Sequence, residues 1–361
     1  MSPSPRVVLF TRDEPQTTTG GVETFTRLLR QLSPGSEVVA YGGVAGRRWL
    51  LDEARDARAA RPALLQAIAR SNARVIVANG AAAWALDEMP LPIVTVFHGT
   101  YAGFGRAIAP IAWRRGVIAR SYGAWIEGRA GQRAARVVAV SARVADEARR
   151  HYGIRAPITV IENGTDFAEL AAPSRPVARA HFGLGDDAAV ALFVGRGDAT
   201  KGFDHVVELA RQRPRLEVLV AGVAAPETAA AGTGRSRNRS RWPRNLRPLG
   251  ALPREQLRIA YAAADVVVHP SRYEGCPFAL LEAIACDRPI VATAIGPFSE
   301  VGEFAYGCIL EHAEELATAV DSVVAERRRF TPRLALGERF GGARFTHEWR
   351  ALLAGMVVDG Q

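Results

Sequence analysis

The chain has 361 residues, of which 48% are hydrophobic and 23% charged, and a formal net charge of +9. That length favours two domains over one, and the apolar share supplies substantial cores and excludes global disorder. Three widely spaced cysteines, Cys276, Cys286 and Cys308, form no CxxC pair, which argues against a disulfide framework and a zinc site and fits a reducing cytoplasm.

The first apolar run, RVVLFT (6–11), is of strand length rather than the core of a leader, and no run approaches the ~20 residues that span a bilayer. From there short β-branched runs alternate with helix-length segments. The first series is RVVLFT, SEVVAYG, ARVIVAN, PIVTVFHG, ARVVAVS and ITVIENG. After the Ala/Pro-rich stretch ELAAPSRPVARA a second follows: AVALFVGRG, LEVLVAG, LRPLGAL, DVVVHPS, RPIVATA and YGCIL. This alternation predicts α/β architecture with parallel sheets covered by helices on both faces. Two arrays in succession, with a break near residue 170, predict two Rossmann-like, doubly wound domains facing each other across a cleft. In such sheets ligands bind beyond the carboxyl ends of the strands. PETAAAGTGRSRNRSRWPRN (226–245), low in complexity and holding five arginines, reads as a mobile loop.

Positive charge is unevenly spread, with 22 arginines against 15 acidic residues in 1–172. Within 101–136 seven arginines face Glu127 alone, interleaved with Tyr101, Phe104, Trp113, Tyr122 and Trp125. Such a stretch suits anionic lipid, at about 1 kcal/mol per basic residue near the surface, or serves as a solvated helix face. No nucleic-acid recognition pattern accompanies it.

Four motifs carry candidate chemistry. Gly20 and Gly21, in TTTGGVETF after the first strand, would let backbone amides approach an anion at a helix N-terminus. His98 ends the strand PIVTVFHG, where a lone histidine is either structural or turned to a ligand. VGRGDATKGFD brings Arg196, a small-residue loop and Lys201 to the start of a helix. Lys201 is the only lysine, since the other 45 basic residues are arginine. Two cations at a helix N-terminus suit a diphosphate, and a compact ammonium supplies a point donor that a planar guanidinium does not. In EGCPFALLEAIACDRPIVAT, Glu274 lies in a loop, Pro277 takes the first helical position, and Glu282 sits over a turn further along. Two carboxylates so spaced reach along one ligand, accepting from vicinal hydroxyls as sugar and ribose require. No DxD motif is present, so no metal is expected to bridge the diphosphate and no cofactor is implied.

Taken together, GGVETF, FHG, VSARVADEARRHYG, VIENGTD, VGRGDATKGFD and EGCPFALLEAIACDRPIVAT resemble the retaining GT-B-fold glycosyltransferases of glycosyltransferase family 4, in order and spacing over nearly the whole chain. The resemblance implies an acceptor-binding domain over 1–168, a nucleotide-sugar donor domain over 169–335, and a final helix in 336–361 returning to the first domain. It implies that Arg196 and Lys201 bind and stabilise the leaving diphosphate, that Glu274 and His98 contact the transferred sugar, and that Glu282 contacts the donor ribose. Gly20 and Gly21 would lie near donor and acceptor. Gly275, Cys276, Pro277 and Phe278 would line the donor site, and Asn163, Gly164 and Asp166 would mark the hinge. Many relatives carry glycine where Pro277 and Asp287 stand. The implied partners are a nucleotide-sugar donor and an acceptor that is lipid-linked or a small metabolite, with cytoplasmic location and peripheral contact at the inner membrane face. A nucleotide-sugar epimerase or phosphorylase, or a non-catalytic membrane-surface binding protein, are the rival readings.

Overall fold

A computed structural model describes residues 6–12, 20–42, 51–166, 170, 173–224 and 242–358. Most of the arginine-rich stretch 226–245 falls outside the described residues, as do residues 17–19 of the first glycine motif. The chain divides into two compact units. The first holds 1–163, Glu274–Cys276 and 343–361, and the second holds 164–273 and 277–342. The sequence expectation had drawn its divisions at 168 and 335.

In the first unit six strands form one parallel sheet: β1 (Val7–Thr11), β2 (Glu37–Ala40), β3 (Val75–Asn79), β4 (Ile93–Phe97), β5 (Arg136–Ala139) and β6 (Ile158–Val160), in the order β2-β1-β3-β4-β5-β6. Every residue of β1, β3 and β4 is buried. Continuous apolar runs such as VIVAN and IVTVF therefore mark strands covered on both faces. The chain builds outward from β1 to β2 and then restarts on the other side at β3, so the order reverses between β1 and β3. Helix Gly21–Leu32 follows β1 and buries Phe25, Thr26, Leu29 and Leu32. Helix Gly342–Val358 belongs to this unit from Ala343 onward, and its Trp349 ring, fully buried, meets Phe25 edge-on at 5.6 Å.

The second unit has seven strands: β7 (Ala189–Val194), β8 (Leu216–Ala221), β9 (Leu246–Gly250), β10 (Val266–His269), β11 (Ile290–Thr293), β12 (Gly302–Phe304) and β13 (Gly307–Leu310), ordered β12-β13-β11-β10-β7-β8-β9. All neighbours are parallel except β12 and β13. Here too the order reverses, between β7 and β10. β9 contains Pro248, which cannot donate to a ladder, and it lies at the sheet edge where that costs least. β12 is absent from the sequence reading because its three residues are too short to show alternation.

One buried charge cluster staples this unit. Asp265, at the start of β10, is 2% exposed. It accepts from Arg175 at 2.5 Å, from Arg179 at 2.8 Å and from the amide of Val190 at 2.9 Å, and Arg327 lies 3.3 Å away. Arg179 is itself buried, and desolvation lowers its pKa against the pull of Asp265. Such a pair holds its helix and strand in register at a desolvation cost, and losing one partner leaves a bare charge inside.

Candidate active site

In the second unit the loops after β7 and β10 leave adjacent strands at the point where strand order reverses, the crevice position in doubly wound sheets. Arg196 and Lys201 stand on the first. Asp198 organises that loop: its Oδ1 accepts from the amides of Thr200 at 2.9 Å and Lys201 at 3.2 Å, and its Oδ2 accepts from Arg196 Nε at 2.9 Å. Arg196 is exposed and Lys201 half-buried, its stem passing over Gly195. Helix Phe203–Gln212 begins immediately after, so its positive end adds to both cations. The pairing of Arg196 with Asp198 was not foreseen, although an aspartate just before a helical turn is a capping signal.

The two loops touch. Gly202 has φ +68°, and a Cβ there would stand 1.9 Å from the carbonyl oxygen of Pro270, so only glycine permits the approach. Arg272, which the sequence reading passed over, braces the contact. Its amide donates to Thr200 O at 2.9 Å, its guanidinium donates to Ala199 O and forks onto Asp204 at 2.8 and 2.6 Å, and Nη2 lies 2.9 Å from His205 Nε2. Burial disfavours the Asp204 carboxylate, yet the hydrogen bonds and charge of Arg272 outweigh it and hold its pKa below the ordinary value.

Beyond β10 the chain enters helix Phe278–Ala285. Pro277 takes the capping position rather than the first helical one, with φ −74° and ψ 119°. Phe278 and Glu282 are buried, and Glu282 Oε2 accepts from the Tyr261 hydroxyl at 3.0 Å. Desolvation first, then the Glu282 charge, pushes the Tyr261 pKa well up. Burial first, and then the same carboxylate, push the Cys286 thiol up to about 12, which keeps it protonated.

The three residues Glu274, Gly275 and Cys276 group with the first unit. A Cβ on Gly275 would fall 2.0 Å from the carbonyl oxygen of His98, and Asn163 Nδ2 donates to Cys276 O at 2.8 Å. Glu274 is half-buried and Cys276 buried. His98 follows β4, packs edge-on against Phe25 with ring centroids 4.6 Å apart, and lies 3.0 Å from Asn79 Oδ1 through Nε2. Burial lowers its pKa to about 4, so the ring is neutral at pH 7. Gly20 caps helix Gly21–Leu32, and the Glu23 carboxylate folds back over it, 2.2 Å from where a Cβ would stand. Gly164 and Asp166 fall in the second unit, across the division from Asn163. Among the described residues no group of three His, Cys, Asp or Glu side chains is placed to hold a metal ion.

Comparison with known proteins gives the family and the fold. Residues 6–169 match the pattern of Glycosyltransferase Family 4, and residues 174–338 match that of Glycosyl transferases group 1. The D-inositol 3-phosphate glycosyltransferase of Geodermatophilus obscurus is 33% identical over 278 residues, 69% of this chain and 58% of the relative. The chain thus aligns with little more than half of that relative's length. Among solved structures, sucrose-phosphate synthase from Thermosynechococcus elongatus superposes with a TM-score of 0.80 at 19% identity, covering 98% of this chain and 100% of the other. Anabaena HepE in complex with UDP-glucose gives 0.70 at 18% identity, covering 97% and 99%. The fold is shared with both structures, and the two sequence patterns account for both halves. The chain belongs to glycosyltransferase family 4 and has the GT-B fold.

Proposed function

We propose that the protein moves a sugar from a nucleotide-diphosphate sugar to an acceptor hydroxyl with retention of anomeric configuration, and that the second unit binds the donor. The observation that carries this reading is the cross-braced pair of loops at the strand-order reversal, which presents Arg196 and Lys201 at a helix start. As the bond from the anomeric carbon to the diphosphate breaks, negative charge grows on the departing phosphate. The two cations and the helix end stabilise it without reorganising. The acceptor oxygen forms its bond on the same face, and its proton passes to the departing phosphate oxygen, so the protein supplies orientation and electrostatics rather than a nucleophile. Glu274 takes sugar hydroxyls and Glu282, oriented by Tyr261, takes the ribose. The backbone of Gly20 and Gly21, with Gly275, Cys276, Pro277 and Phe278, shapes the remainder.

The test is incubation with labelled nucleotide sugars and candidate acceptors. Transfer or slow hydrolysis supports the reading, isomerisation points to an epimerase, and inert binding points to a non-catalytic role. Lys201→Ala is expected to lower turnover about 10²–10³-fold, as loss of one preorganised donor does.

The same proposal places the protein at an anionic bilayer on the cytoplasmic side. Ile111, Trp113, Val117, Ile118 and Trp125 are 44–65% exposed, among the exposed arginines 114, 115, 120 and 129. Helices Tyr101–Ile108 and Trp113–Ile118 meet backbone to backbone, since a Cβ on Gly105 would lie 2.7 Å from Gly116 O. The large side chains on the outer face stay exposed, with Arg114 over the Trp113 ring and Arg129 over the Trp125 ring. The lone acid of the stretch, Glu127, is buried, accepting the amide of Tyr101 at 2.6 Å and the Tyr152 hydroxyl. Apolar side chains ringed by guanidinium groups match an interfacial membrane site. Among the described residues no helix is long and apolar enough to cross a membrane.

A further inference from the structure

Two residues of the first unit that no motif singled out, Thr26 and Asn79, form with the Val22 carbonyl a directional chain ending on His98. Thr26 Oγ1 lies 2.8 Å from the carbonyl oxygen of Val22, one helical turn earlier. A carbonyl only accepts, so the threonine proton is committed there and Oγ1 is left as an acceptor. Asn79, the last residue of β3, lies 3.1 Å from that Oγ1 and must offer it an N–H of its amide. This fixes the orientation of the amide, with Oδ1 turned toward His98 Nε2 at 3.0 Å. Oδ1 can only accept, so Nε2 carries the proton.

We infer that Thr26 and Asn79 are positioning residues that hold His98 as the Nε2–H tautomer, so that Nδ1 presents a lone pair and accepts a hydroxyl proton from the ligand. The relay is placed for this work. Thr26 is 1% and Asn79 8% exposed, both sit beside the strand-order reversal of the first sheet, and the Phe25 ring fixes the imidazole plane. The consequence is chemical selection. A neutral ring with a bare Nδ1 repels phosphate and carboxylate oxygens and welcomes O–H donors. His98 therefore recognises a sugar or acceptor hydroxyl and contributes no charge to the diphosphate, whose cations are Arg196 and Lys201. This refines the proposed transferase reading and rests on it for the identity of the hydroxyl.

The test is nitrogen NMR of protein labelled with ¹⁵N in its histidine rings, at pH 7, with His98 assigned by its loss in His98→Gln. The expected spectrum has a protonated Nε2 and an unprotonated Nδ1. Thr26→Val removes the hydroxyl and Asn79→Leu removes the amide. In both, the tautomer preference should weaken or reverse, while Thr26→Ser should keep it. Transfer by the first two should fall about tenfold in kcat/KM, the scale of one buried hydrogen bond left unmade, and Thr26→Ser should restore it. Thermal melts and the remaining imidazole signals show that each variant is folded. A proton on Nδ1 in the native protein, a doubly protonated ring at pH 7, or a tautomer unmoved by both variants overturns the inference. Unchanged transfer in a folded variant whose tautomer has switched overturns it equally. The NMR measurement needs no substrate, so failure of the relay and failure of the transferase reading are separately visible.

Discussion

At the scale of single residues, the solitary lysine gains meaning from its neighbours. The Arg272 guanidinium forks onto Asp204 and reaches Ala199 O of the Lys201 loop, so Arg272→Ala removes these braces and leaves only the amide bond to Thr200 O. We expect kcat/KM to drop about tenfold, equivalent to roughly 1–2 kcal/mol of lost hydrogen bonding. Arg272→Lys should fail to restore it, because an ammonium cannot reproduce the fork; steady-state kinetics of both variants decide. His98 gives a pH signature. Its folded pKa of about 4 lies below the ordinary histidine value, so its neutral burial stabilises the fold fully above about pH 6.5. That contribution is lost as pH falls from there toward 4. Chemical denaturation across this range should show a decline on the order of 3 kcal/mol that His98→Gln reduces. Arg196, Lys201, Glu274 and Glu282 stood out in the sequence because unusual side chains lie at fixed spacing after a strand. Arg272, Asn79 and Thr26 did not, because Asn79 and Thr26 are 53 positions apart, Arg272 and Asp204 are 68 apart, and the direction of a proton leaves no local pattern.

Among elements, the strands were legible wherever they are buried on both faces, since β1, β3, β4, β7 and β10 are mostly apolar, rich in valine and isoleucine, with at most one polar residue each. β12 was not, and the helix after β10 begins one residue later than Pro277 suggested. The loops that touch at Gly202 depend on a bare backbone. Gly202→Ala would drive a methyl into the Pro270 carbonyl in a backbone conformation L-residues avoid. Nucleoside diphosphate binding should weaken at least tenfold, measurable by calorimetry. The ion cluster on β10 predicts a different outcome. Asp265→Ala strands Arg179 in the interior and should cost about 3–5 kcal/mol in denaturant melts. A paired Asp265→Leu, Arg179→Met replacement should recover most of that loss, because apolar residues of similar volume fill such sites well.

For the whole molecule, the two successive strand series announced two doubly wound units, and each sheet reverses its strand order beside a motif that the sequence had offered. Less legible was the place of Glu274–Cys276, which group with residues far away in sequence and which no composition shift marks. The exposed tryptophan, isoleucine and valine side chains of 111–125 were visible only as composition until helix packing showed which face they occupy. If that face meets lipid, the protein should sediment with vesicles of anionic phospholipid at low salt and be released as salt rises. Trp113→Ser with Ile118→Ser should bind less at every salt concentration. Sedimentation equal to the native protein's would remove the apolar residues from the interaction. Everything proposed for the reaction rests on donor diphosphate being held by Arg196 and Lys201. Thermal shift with a panel of nucleoside diphosphates, on the native protein and on Lys201→Ala, tests this most directly. At least one diphosphate at a hundred times its Kd should stabilise the native protein by ≈ 2.7 kcal/mol, and Lys201→Ala should need at least tenfold more ligand for the same shift. A flat response across the panel, or equal affinity in the alanine variant, would contradict the account.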